Sequence, residues 1–171
     1  MKPALVIFII MLSAASSFGQ FKWSELNYHY QTGSIPPPYY YSYDIFMNSG
    51  GKSQIIYRSG YSADSNNTLK YTYNIPDSSI KKLNDAIEAS KIMTEEIESY
   101  PEGKRKIGGS LQDITLTLNS DPAFDGKPIQ IHVTSYPSNE LQKTGLNKLY
   151  LLIQVLVPQE INDEIKAKTT K

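Results

Sequence analysis

Cysteine is absent from all 171 residues, and that one lack removes several classes at once. A disulfide framework, a thiol nucleophile, a thiolate metal site and an anchor through a lipidated cysteine are all excluded. Histidine is scarce, with only His29 and His132, and Trp23 is the one tryptophan. Neither sign of charge dominates, since 17 Lys and Arg stand against 17 Asp and Glu. Without a net positive field there is no electrostatic reason to expect nucleic acid or an anionic membrane as a partner. The short motifs H-E-x-x-H and G-x-S-x-G and the phosphate-cradling glycine loops do not occur. No cofactor and no metal are expected, and a non-enzymatic role comes first.

Long apolar runs are missing too, except at the start. "MKPALVIFIIMLSAASSFGQ" has one early charge, Lys2, an apolar run from Ala4 to about Ala15, and then small residues. That is the layout of a secretory signal peptide, here residues 1–19, with a cut ahead of Gln20. The run is shorter than the roughly 20 residues a membrane-spanning helix needs. The expected location is therefore periplasmic or secreted, with no stable membrane insertion after cleavage. The Ser-Phe-Gly-Gln ending resembles the leaders of secreted Bacteroidota proteins. The remainder, from Gln20, is long enough for one domain with its own core. Lys104-Arg105-Lys106, between Pro101 and Gly108, reads as a solvated loop.

What is abundant is tyrosine, and ten of the 13 lie between Tyr28 and Tyr73. They fall in alternating segments. In "SELNYHYQ", Leu26, Tyr28 and Tyr30 share one face and Glu25, Asn27, His29 and Gln31 the other. "YYYSYDIFMN" places Tyr39, Tyr41, Tyr43, Ile45 and Met47 together. "SQIIYRSGY" groups Ile55, Tyr57 and Tyr61, and "TLKYTYNI" groups Leu69, Tyr71, Tyr73 and Ile75. Alternation of period two in aromatic and β-branched residues marks strands with one buried face. The links "NSGGK" and "SADSNN" are turn chemistry, so an antiparallel four-strand meander follows.

After Pro76 the period changes. "DSSIKKLNDAIEASKIMTEEIESY" carries Ile80, Leu83, Ala86, Ile87 and Ser90 at helical spacing and continues toward Ile97, with Asp77 or Ser78 as cap. "GGSLQDITLTLNS" and "PIQIHVTSY" then form a hairpin with Ile114, Leu116, Leu118, Ile129, Ile131 and Val133 inward. "NELQKTGLNKLYLLIQVLVP" is a second helix, buried along Leu146, Leu149, Ile153 and Leu156 and ending before Pro158. The expectation is a single α+β domain over residues 20–160, with an antiparallel sheet, helices on one face, and residues 161–171 as a frayed or disordered tail.

The stretch "GSIPPPYYYSYDIFMN" joins the first two strands. Pro36, Pro37 and Pro38 cannot donate backbone hydrogen bonds and suit a link. Most tyrosines share the parity of their strand's aliphatic residues and belong to the packed face, where aromatic cross-strand pairs contribute about 0.2–1 kcal/mol each. Tyr40 is the exception, on the polar parity, and Phe46 and Ile56 are also out of phase. With Phe21 and Trp23 just before the first strand, they are candidates for an exposed aromatic surface, of which Trp23, Tyr40 and Phe46 are the candidate binding residues.

The order of residues 109–156, "GGSLQDITLTLNS", "GKPIQIHV" and "LNKLYLLIQVLVP", resembles small bacterial protease-inhibitor modules of the emfourin type. In those, a hairpin and closing helix follow an earlier sheet and helix. The resemblance implies a non-enzymatic domain that docks on a protein, and it carries over no inhibitory residue.

Three functions are expected, in this order. The first is an exported binding domain that takes a protein or glycan on an aromatic sheet surface. The second is a structural or accessory envelope protein whose tyrosines are all core. The third is a hydrolase, which requires His29, His132, Asp44 and Asp113 to converge. The triplet Asn66-Asn67-Thr68 matches a glycosylation acceptor but reads as a polar loop.

Overall fold

The computed structural model describes residues 22–36, 39–61, 65–98, 109–119, 127–133 and 137–169. The expected signal peptide, Phe21, Pro37, Pro38 and the Lys104–Lys106 run lie outside the described residues. The strands are β1 (Trp23–Gln31), β2 (Tyr41–Asn48), β3 (Lys52–Ser59), β4 (Thr68–Asn74), β5 (Leu111–Leu118) and β6 (Ile129–Val133). Three helices accompany them: α1 (Asp77–Ser90), α2 (Glu140–Val155) and α3 (Gln159–Thr169). The expected meander and hairpin are one six-stranded antiparallel sheet in the order β4-β3-β2-β1-β5-β6. The hairpin adds on the free side of β1, which makes the first strand of the chain a central one.

Register carries the alternation across every strand. Leu26 lies opposite Met47 and Leu116, Tyr28 opposite Ile45 and Ile114, and Tyr30 opposite Tyr43 and Gln112. One face therefore collects the apolar parity of all strands, and the helices bury it with Ile80, Leu83 and Ile87 of α1 and Leu146, Leu149 and Ile153 of α2. At the β2–β3 turn, Gly51 has φ +85° and its carbonyl accepts from Ile75 N. A Cβ there would stand 2.5 Å from the Ile75 oxygen, so glycine is required.

The structure departs from the sequence expectations at three points. First, α1 stops at Ser90 instead of running toward Ile97, because Lys91 adopts the left-handed conformation and its N–H donates to the Glu88 carbonyl. At about 100° per residue, a continued helix would carry Ile92 roughly 140° from Ile87 around the axis. Breaking the helix instead lets Ile92 turn inward, where it is 2 % exposed. Second, the α1 cap is Pro76, whose carbonyl accepts from Ser79 and Ile80, rather than a side chain of Asp77 or Ser78. Third, residues expected to fray form α3, pinned by buried Ile165 and by half-buried Ile161.

Tyr28, Tyr30, Tyr43, Tyr57, Tyr71 and Tyr73 lie on the helix-bearing face as their parity requires, whereas Tyr39 and Tyr61, expected with them, lie outside the strands and are exposed. Tyr28 is fully buried at its centre, donating to Gln112 Oε1 at 2.8 Å and accepting from Gln154 Nε2 at 2.6 Å. Beyond it Tyr30, Tyr41, Tyr43 and Tyr57 form a half-buried ladder of near-parallel rings. Tyr30 and Tyr43 are 4.9 Å apart at 16°, and Tyr41 and Tyr57 are 5.6 Å apart at 20°. Burial pushes the hydroxyls of Tyr28 and Tyr41 up to about 12. The same cause raises Tyr43, Tyr73 and Tyr150.

Two outcomes follow from this core. Tyr28→Phe keeps the ring but strands the Gln112 and Gln154 amides, and should lower unfolding free energy by about 1–3 kcal/mol in denaturant titration. An unfolded tyrosine releases its proton near 10.0, whereas folded Tyr28 and Tyr41 hold theirs to about 12. The unfolded state alone is thus favoured by deprotonation over that interval, and stability, unaffected below pH 10, should fall as pH rises toward 12. Phenolate absorbance should rise together with loss of tertiary circular dichroism; a full phenolate signal from a still-folded protein would contradict it.

Candidate binding face of the sheet

The opposite face of the sheet carries the polar parity, and no described helix packs on it. Its residues run in cross-strand rows set by the register. One row places Asp113, His29, Asp44 and Ile56 side by side on β5, β1, β2 and β3. The next holds Thr115, Asn27, Phe46 and Gln54, and the one after it Thr117, Glu25, Asn48 and Lys52.

The first row is internally bonded. His29 Nδ1–H donates to Asp44 Oδ1 at 2.7 Å, and Arg58, two residues beyond Ile56 on β3, donates to Asp44 Oδ2. The bond to Asp44 raises the imidazole above its ordinary value against the opposing effect of burial, and the charge of Asp113 across the strand adds to it. Burial alone would raise the Asp44 carboxyl, but the hydrogen bonds from His29 and Arg58 outweigh it and hold it below the usual carboxylate range. His132 lies elsewhere, on β6, 3.1 Å from Thr115 Oγ1. Among the described residues no group of three or more His, Asp or Glu is arranged to hold a metal. Of the four residues that the hydrolase reading needs, His29, Asp44 and Asp113 are register neighbours with a bond only between His29 and Asp44, while His132 lies beside Thr115.

Below the charged row the face sinks into an open depression of about 470 Å³, lined among others by Glu25, Asn27, Phe46, Gln54, Thr117 and Gln130. Phe46 is 38 % exposed beside it. Asn27 Oδ1 is buried without a hydrogen-bond partner. An unsatisfied buried acceptor of this kind costs about 1–3 kcal/mol in general.

The three residues singled out from the sequence do not gather on one surface. Phe46 is on the open face. Tyr40 is at the far end of β2, its ring 4.3 Å from that of Tyr61, whose hydroxyl donates to the Ile35 carbonyl. Trp23 is on the helix side, 5 % exposed, with Nε1 donating to Asn84 Oδ1 of α1 at 2.7 Å. The cause is a β-bulge: the β1–β5 register shifts between Trp23 and Glu25. The extra residue, Ser24, reverses the alternation, so Trp23 turns to the same side as Leu26. Tyr39 and Tyr61 are exposed near Tyr40. Asn27 was legible only as one polar residue in an alternating strand; its orphaned oxygen depends on its neighbours across two strands.

A comparison with models of known protein families finds no match, and a comparison with curated protein sequences finds none either.

The charged row generates a pH test. Folded His29 holds its proton above 6.5, so its contribution is complete below pH 6.5 and fades as pH rises through the raised value. Asp44 contributes above 3.8 and is lost as pH falls through its lowered value. The pair is strongest between about pH 4 and 6.5. Both groups are partly exposed, so after solvent screening Asp44→Asn should cost about 1 kcal/mol in that window. The His29 imidazole titration, followed by NMR, should move down in this variant; an unmoved midpoint would refute the coupling.

Proposed function

We propose that the chain is an exported, non-enzymatic binding domain that meets a protein or glycan on the open face of its sheet. The observation that carries this is the sorting of the two faces. The helices occupy one side, while the other keeps a large aromatic ring, Phe46, exposed among polar side chains above an open depression. An aromatic side chain offers contact area at low entropic cost, and it favours such a site when its surroundings are not already closed. The leader-like residues 1–19 support export, and the layout shared with emfourin-type modules is in keeping with a domain that docks rather than catalyses. The tyrosine ladder supports this reading indirectly. Its rings stack largely on one another, which leaves less free ring face there than at Phe46.

The test uses the exported chain immobilised against soluble envelope and medium fractions of the producing cell. Phe46→Ala should lose the retained material with an unchanged melting temperature. Val155→Ala, on the outer side of α2 where Val155 is 77 % exposed, should retain it. Equal retention by both variants and the parent would refute the open face as the binding surface.

A further inference from the structure

We infer that the ligand of this face is a neutral, hydroxyl-rich glycan segment, seated across the Asn27 and Glu25 rows with one sugar ring on Phe46. This rests on the binding role proposed above and narrows it to one chemical class.

The donor set is the first argument. Asn27, Gln54 and Gln130 bring side-chain amides to the depression, and Thr117 brings a hydroxyl. Among the described residues none of these four side chains makes a hydrogen bond to another protein group. Amides that both donate and accept match vicinal sugar hydroxyls, which do the same. Phe46 supplies the flat apolar surface that the C–H face of a pyranose covers. Charge is the second argument. The depression has one carboxylate, Glu25, and one ammonium, Lys52. That balance complements an uncharged ligand and gives no attraction for a polyanion. The volume, about 470 Å³, lies within the general range of about 300–1,000 Å³ for small-ligand sites.

The sheet geometry argues against an extended peptide. Peptides that join a sheet do so at an edge, where backbone N–H and C=O groups are unpaired. The depression lies mainly over β1, β2, β3 and β5, each paired on both sides, and reaches the edge strand β6 only at Gln130. Over those four strands a ligand meets side chains only, and a peptide backbone lying there would find no ladder to extend.

Asn27 is the second, independent observation. Its Oδ1 is shut off from water and unpartnered, although the residue occupies a strand position where valine or threonine would pack well. An amide kept at such a position against local stability marks a site held for something other than folding. With no protein bond to break, the amide is available to turn toward a ligand hydroxyl.

The experiment titrates the exported chain with neutral hexaoses of glucose, xylose, mannose and N-acetylglucosamine, to about 1 mM, observing backbone and side-chain amide NMR signals. An oligogalacturonate of the same length and an uncharged Ser/Gly peptide are the comparators. At least one neutral hexaose should shift the side-chain amides of Asn27, Gln54 and Gln130, with no shift from either comparator. Phe46→Ala should weaken that association about tenfold. Asn27→Val should abolish it while the melting temperature stays level or rises, which a purely structural asparagine would not do. Absence of binding by every neutral hexaose, binding that shifts signals on the helix side, or equal affinity of both variants would overturn the inference. If envelope material is still lost by Phe46→Ala yet survives periodate treatment and not protease, the open face stands and its ligand is a protein. If Phe46→Ala loses nothing, both readings fall.

Discussion

β1 is held on both sides, and the register of those two pairings sets the position of nearly everything else. On one side it meets the meander and on the other the hairpin from the second half of the chain. Because side chains alternate, a slip of one residue on either side would send Leu26 and Tyr28 to solvent and bring Glu25 and His29 under the helices. The cost would fall on both halves at once. The bonded row of Asp44 and His29 across β1 and β2, and the contact of Tyr28 with Gln112 across β1 and β5, are both satisfied only in the observed register. A polar bond on each face thus reinforces what hydrophobic burial already favours.

The sequence made the architecture legible because its alternation is unusually clean. Tyr43, Ile45 and Met47, or Leu69, Tyr71 and Tyr73, leave little choice about which side is buried, and all of them lie in or against the core. Two of the failures share a cause as well: each is a place where one residue changes the period. Ser24 as a bulge turns Trp23 inward. Lys91 in the left-handed region ends α1 early so that Ile92 reaches the core. Neither residue type announces such a role, since a lysine is not a favoured left-handed residue and a serine in a strand is ordinary. Tertiary burial of one large neighbour decided both. The helix at Gln159–Thr169 was hidden for a different reason, as its core contact is essentially a single buried side chain, Ile165, too little for a visible stripe.

Two aromatic populations result, and they differ in what their rings can do. In the ladder of Tyr30, Tyr41, Tyr43 and Tyr57 each ring stacks on at least one neighbour, and Tyr30, Tyr41 and Tyr43 each on two or more. Stacked pairs of this sort add packing energy of about 0.5–1.5 kcal/mol beyond area burial, which helps a chain without disulfides to hold a sheet end that the helices cover only in part. Abundance of tyrosine is therefore mainly an account of stability. Among the described residues Phe46, on the other face, has no ring partner, and a solitary ring keeps a face free.

The open face is itself divided. Toward the β2 start, His29, Asp44 and Arg58 neutralise one another, so their charge is spent within the protein and binds the three central strands side by side. Toward the β2 end, among the described residues, the side chains of Asn27, Gln54, Thr117 and Gln130 have no such partners, while Thr115 is bonded to His132 and Asn48 to the Lys52 backbone. Had the whole face served only to keep the sheet in water, there would be no gain in burying an Asn27 oxygen without a donor, because threonine would solvate as well and suit a strand better. The charged row then acts as a fixed border: it stiffens β1 and β2 where they must not part, and holds the Asn27 and Phe46 positions at constant spacing. Rigid support behind an unsatisfied polar group is what a binding site requires, since a ligand gains most from groups already in place and not yet bonded.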